Sequence, residues 1–197
     1  MPDGPSRARI SRLSRLSRLT ASLGLGAAAL VLWAGPAQAA ACPTVDPSTG
    51  AVTPAPAPGV QWEGCDLAGA NLSQSNLSNA DLTSANLEVA NLASADLTGA
   101  DLNGADARNA SLASASVGQA DLTSALLGGS DLTDAQLTGT KLTDADLADA
   151  TITGASLAGA TLTGASGVGI KGSPASLPTD WSVVGGYLIG PGAGTYF

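Results

Sequence analysis

The chain has 197 residues, a formal net charge of −8 and no histidine, so the commonest general base and the commonest metal ligand are missing. Aromatics are 3% of the residues and none lies between Glu63 and Asp180, which excludes the bulky core of a sandwich or barrel over that stretch. Five of the eight basic residues are Arg7, Arg9, Arg12, Arg15 and Arg18, so three basic residues face fifteen acidic ones beyond residue 39, a balance of −12. Such a surface repels phosphates and speaks against nucleic-acid binding.

Residues 1–39 have the order of a secretory signal. The arginines form a positive segment, Leu23 to Ala34 a short apolar one, and Ala37-Gln38-Ala39 a small-residue cleavage site with the cut expected between Ala39 and Ala40. The apolar run is too short to span a membrane comfortably, so the mature chain is expected not to cross one. Residues 40–62 follow as a Pro/Ala-rich linker, in which Pro54, Pro56 and Pro58 alternate with alanines and favour extended polyproline geometry. Cys42 has two readings. It is a lipid attachment site after Ala39-Ala40-Ala41, without the larger aliphatic such sites carry, or it is the disulfide partner of Cys65, the only other cysteine. Export favours the disulfide.

Residues 63–167 are organised in fives. Centres fall at every fifth position from Leu67 to Leu162, and nineteen of the twenty are Leu, Ile or Val, with Ala107 the exception. Alanine stands two residues before the centre in sixteen of twenty cases, with Asp or Asn between them in twelve. A five-residue step turns a side chain by about 140° around an α-helix, so the leucines would spiral. On a straight strand the odd step alternates faces. A chain that runs extended for three residues and turns a corner in the next two places alanine and leucine together on an inward face. The polar residue between them then faces water, and Gly, Ser, Thr, Asn and Asp make the corner.

This Ala-(Asp/Asn)-Leu pattern with two variable residues resembles the pentapeptide-repeat family over residues 65–164. The resemblance implies an all-β fold, a right-handed quadrilateral parallel β-helix with four pentads per coil. About five coils stacked at ~4.8 Å make a rod roughly 24 Å long. Residues twenty apart then form columns. Asp81, Asp101 and Asp121 become an acidic column, Asp121 lies over Lys141, and Glu88 lies over Arg108. Leu126 takes an outward position that is elsewhere polar and leaves an apolar spot. These four residues, Asp81, Asp101, Asp121 and Leu126, are the candidate interaction face.

Residues 168–197 leave the repeat and form a C-terminal cap segment. Trp181, Tyr187, Tyr196 and Phe197 are available to close the open end, as Trp62 is at the start. The stretch from Leu177 to Gly192 is similar to an insert in actinobacterial secreted pentapeptide-repeat proteins. There another coil follows, whereas here Ala193-Gly194-Thr195 stands, leaving open whether the segment caps the rod or pairs with another chain. Asp144, Asp146 and Asp149 crowd one coil but lack the glycine and closing glutamate of an EF-hand loop. No catalytic residue, cofactor or metal is expected. Function is expected to be that of an exported structural or protein-interaction rod with an unknown protein partner, secreted or in the cell envelope. The alternative implied by the resemblance is a DNA mimic that binds gyrase, which the acidity fits and an export signal does not.

Overall fold

The computed structural model describes residues 41–194. The signal segment, its Ala39–Ala40 cleavage site, Tyr196 and Phe197 lie outside the described residues. Within them the pentads coil as a solenoid. Parallel bridges link residues twenty apart from Gln61–Asp81 to Ser156–Ser176. Five full coils over 61–160 are therefore followed by part of a sixth, and the stack runs past residue 167, where the repeat pattern fails.

Backbone hydrogen bonding explains why five residues are the unit, as the pentad 86–90 illustrates. Asn86 N–H donates to the Cys65 carbonyl of the coil before (2.9 Å), and Leu87 and Val89 donate to Asp106 and Arg108 of the coil after (2.6 and 3.0 Å). Ala90 N–H closes the corner on the Leu87 carbonyl at 3.0 Å. The remaining amide, that of Glu88, donates to Oδ1 of Asn86 at 3.1 Å. All five donors are satisfied, as burial of backbone requires. The corner has positive φ at its second central residue only, the pattern of a type II turn. That residue recurs every five positions and is Gly, Asn, Asp, Ser or Gln, except for Val89 at φ 60°. Sides are so short that only one residue of each forms a bridge; the three-residue strands expected from the sequence are reduced to single ladder rungs.

The centre residues of the pentads and the alanines two positions before them point inward and are almost completely buried from Leu67 to Ala165. Ala107 keeps its buried place in a leucine column, and Thr140 and Ser130 take buried places in alanine columns. Thr140 Oγ1 donates to the Val117 carbonyl at 2.8 Å, whereas Ser130 Oγ is buried without a partner.

The described part of the segment expected as a linker, residues 41–62, is not extended throughout. It folds into a hairpin of β1 (Thr44–Val45) and β2 (Val52–Thr53). Its turn is held by Asp46 Oδ1, which accepts from the backbone and hydroxyl of Ser48 and from Thr49 N–H. Val45, Val52 and Val60 pack on the core, which supplies the burial that polyproline composition alone would forgo. Gly50 and Val60 offer carbonyls to Asn71 of the first coil and to Asp81 at the start of the second, both at 2.8 Å, so the part of the segment around Gly50 occupies the place of a preceding coil. Gly50 must be glycine: its φ is +71° and a Cβ would lie 2.8 Å from the Gly69 carbonyl oxygen. The Cys42–Cys65 disulfide is formed, and Trp62 is buried beneath this cap.

At the other end, β3 (Ser182–Val184) and β4 (Tyr187–Ile189) form a second hairpin. The chain from 186 to 194 then runs antiparallel across the last coil. Ile170 donates to Gly186, Leu188 to Gly167, Gly164 to Gly192 and Gly194 to Ala165. The C-terminal segment therefore caps its own coil along this side, with Leu188 buried and Trp181 and Val183 packed on the core. Tyr187, expected as a closing aromatic, is instead exposed on the outer face of the hairpin with Val184 and Ile189.

Candidate functional site

Two of the four outward faces carry the residues singled out by the sequence. The first is the column Asp81–Asp101–Asp121–Lys141, stacked by successive parallel bridges. Each aspartate performs the same backbone task. Thr83, Asn103 and Thr123 N–H donate to Oδ1 of Asp81, Asp101 and Asp121 at 3.1, 3.0 and 3.0 Å. Asp and Asn serve equally here, because both offer a carbonyl-like oxygen to the amide two residues on. Lys141 Nζ meets Asp121 Oδ2 at 2.9 Å. Burial pushes the Asp121 carboxyl up, but hydrogen bonds from Thr123 and Lys141 outweigh it and hold the group below the usual carboxylate range. Lys141 is raised in turn by its bond to Asp121, by the charge of that carboxylate and by that of Asp101.

Arg108 does not pair with Glu88. Its Nε and Nη2 form a fork with Oδ1 and Oδ2 of Asp106 at 2.8 and 2.6 Å, the bidentate arrangement that guanidinium and carboxylate favour. That fork, more than any other influence, lowers the Asp106 carboxyl.

Leu126 belongs to a different face, the column Asp66–Asn86–Asp106–Leu126–Asp146–Ser166. It is 38% exposed and lies in an open groove of about 390 Å³ lined by Leu126, Asp144, Asp146, Ala148, Ser166 and Val168. The acidic column and the Leu126 spot are thus not one site. Leu126, Asp146 and Ser166 stack along the groove, while Asp144 and Ala148 stand at the corners before and after Asp146. Asp146 Oδ1 accepts from Ala148 N–H at 3.0 Å and from Ser166 Oγ at 3.2 Å. Sequence reasoning found Leu126, and found Asp144 and Asp146 only as a crowded coil unconnected with it; the twenty-residue column through Asp146 and Ser166 was the signal that could have joined them.

Among the described residues, no group of three His, Cys, Asp or Glu side chains is placed to hold a metal. Asp144 and Asp149 are corner residues at φ 57° and 59°, while Asp146 faces outward between them. No helix among the described residues is long and apolar enough to cross a membrane. What these faces offer is recognition chemistry: carboxylates, small polar groups and the apolar spot around Leu126.

Comparison with known proteins places these features in a family. A family model described as pentapeptide repeats matches residues 62–88, 90–129 and 130–166 in eight copies. The chain is similar to a pentapeptide repeat protein from the Arabidopsis thaliana thylakoid lumen, at 28% identity over 52% of this chain and 68% of that one, with a TM-score of 0.41. It is similar at 28% identity to Rfr23, a pentapeptide repeat protein from the cyanobacterium Cyanothece 51142, over 60% of this chain and 89% of that one, with a TM-score of 0.36. QnrB1, a plasmid-mediated fluoroquinolone resistance protein, is similar at 22% identity over 59% of this chain and 69% of that one, with a TM-score of 0.43. No curated protein sequence matches the chain. With the family match covering more than half of the 197 residues and the pentad geometry on every side of the coil, the chain belongs to the pentapeptide-repeat family.

Proposed function

We propose that this chain is an exported, non-enzymatic interaction rod that presents its faces to a protein partner at the cell surface or outside the cell. The observation that carries the reading is the Cys42–Cys65 disulfide, because such bonds persist in oxidising compartments and are rare in the cytosol. The arginine-rich N-terminal segment supports the same compartment. The whole chain lacks histidine, and the described faces offer contact surface, not a nucleophile with its base. The test is N-terminal sequencing of the protein recovered from culture medium and from cells. Export predicts a chain beginning at Ala40 in the medium. A chain beginning at Met1 and confined to the cytosol would overturn the proposal.

A DNA-mimicking, gyrase-binding role is favoured by one observation, the stacked acidic column. Each of its three carboxylates also accepts a backbone amide, which gives the acidity a folding cause independent of any mimicry. If a high excess of the purified protein leaves gyrase supercoiling unchanged, the mimicry reading is removed.

A further inference from the structure

The groove around Leu126 departs from the repeat in a concerted way. At the outward position, Asp66, Asn86, Asp106 and Asp146 each accept the amide two residues on, but Leu126 has no oxygen to offer and instead exposes an apolar side chain. Two rungs later in the neighbouring corner column, Val168 is likewise 42% exposed. These two apolar groups and Ala148 flank two carboxylates. Asp144 leans against Gly164, where a Cβ would collide with its Oδ1; a side chain at 164 would fill that flank of the groove. Asp146 uses Oδ1 for Ala148 and Ser166, so its second oxygen has no protein partner among the described residues. The two ion pairs among the described residues engage Asp106 and Asp121, not Asp144 or Asp146. The groove therefore combines apolar walls with uncompensated negative charge on a face open to solvent.

We propose that this groove receives the side chain of an arginine or lysine presented by a partner protein. Its aliphatic stem would lie along Leu126, Ala148 and Val168 and its cationic head between Asp144 and Asp146. Long basic side chains have this split character, an apolar stem and a charged tip, and guanidinium matches carboxylate geometry bidentately. At about 390 Å³ the groove is at the small end of ligand sites, which suits one side chain better than a helix or a cofactor. The balance of −12 beyond residue 39 draws a basic partner toward the rod from a distance, and the groove adds a place for it to dock. The site deepens the interaction role proposed above and rests on it for its biological partner.

The probe is a short extended peptide of alanines with one central arginine, titrated into the isotopically labelled full-length chain and followed by amide chemical shifts. Two control peptides carry citrulline or norleucine in place of arginine. Expected are shifts at residues 126, 144–148 and 166–168, with binding at least tenfold weaker for citrulline, which keeps the shape and loses the charge. Asp146→Asn should weaken arginine binding several-fold, and so should Leu126→Asn. Leu126→Asn restores the outward residue of the repeat and so keeps the coil folded. Equal shifts along Asp81, Asp101 and Asp121 would reduce the effect to general charge attraction and overturn the proposal. Unchanged binding by Leu126→Asn would also overturn it. Because the titration uses the purified chain, its failure leaves the export reading standing, and failure of N-terminal sequencing leaves the groove standing.

Discussion

Replacing Asp101 separates two explanations of the acidic column. If its carboxylate is there to accept the Asn103 amide at 3.0 Å, oxygen matters and charge does not. A hydrogen bond of this kind contributes about 1 kcal/mol net. Asp101 is also bridged to Asp81 on one side and Asp121 on the other. Carboxylates splayed to ~6 Å in water repel by roughly 0.7 kcal/mol per pair, and Lys141 offsets part of the term from Asp121. Asp101→Asn keeps the acceptor and removes the repulsion, so it should be as stable as the wild type or up to about 1 kcal/mol more stable at low salt. High ionic strength should erase that gain. Asp101→Ala loses the bond as well, and should lie about 1 kcal/mol below Asp101→Asn at every salt concentration. Urea unfolding followed by circular dichroism at low and high ionic strength reads both differences. Equal destabilisation by Asn and Ala would refute the reasoning, because it would mean that the negative charge itself is required.

Other consequences are equally direct. Ser130 is fully buried in a column of alanines with an unpartnered hydroxyl, so Ser130→Ala should stabilise the coil by about 1 kcal/mol; a thermal midpoint that stays or falls would contradict this. Val89 holds φ 60° at a corner while 61% exposed, and Val89→Asn should gain roughly 1 kcal/mol by relieving a β-branched residue of the left-handed region, measured in the same melt. Replacing both Cys42 and Cys65 by serine opens a loop of sequence separation 23 and should cost about 3 kcal/mol. Because coils couple mainly to their neighbours, hydrogen exchange should accelerate at Asn71 and Asp81 and stay slow at Leu142; uniform acceleration would count against local coupling. The Asp106 carboxyl is lowered from its ordinary 3.8 by Arg108, so its stabilisation is complete above that value and disappears as pH falls through the lower folded value. Asp106→Asn should therefore be less stable than the wild type at neutral pH, with the gap closing in acid; a pH-independent gap would deny the pair a role.

Much of the solenoid was legible because the pentad repeats one decision many times. The spacing of Leu67, Leu72 and their successors decides which side chains face in, and the coil register then aligns Asp121 with Lys141. Where local geometry competes with the column, the register misleads. Arg108 is in line with Glu88 but forms its fork with Asp106, two residues away in its own pentad. The ends were harder for a different reason. The segment 41–62 places Val45, Val52, Val60 and Trp62 on the core, too irregularly spaced to show a period among the prolines. Its place is fixed by Gly50 and Val60 carbonyls, and backbone groups have no sequence signature. The antiparallel return from 186 to 194 is equally silent, since it is held through glycine and backbone contacts. In the groove, Leu126 was visible as a departure, but Asp144, Ala148 and Val168 join it across corners, which a column reading does not connect.

The twenty-residue register has a consequence for how such a chain tolerates insertions and deletions. Every rung from Gln61–Asp81 to Ser156–Ser176 obeys the same offset. Duplicating one whole coil lengthens the rod and returns each downstream residue to its original side. Inserting a single pentad keeps leucines inward but rotates everything after it by a quarter turn, so that Asp121 would no longer stack on Asp101 and Leu126 would leave its own column. Inserting one or two residues breaks the inward pattern altogether. Length and facial arrangement are therefore separately heritable: one changes in steps of twenty residues, the other in steps of five.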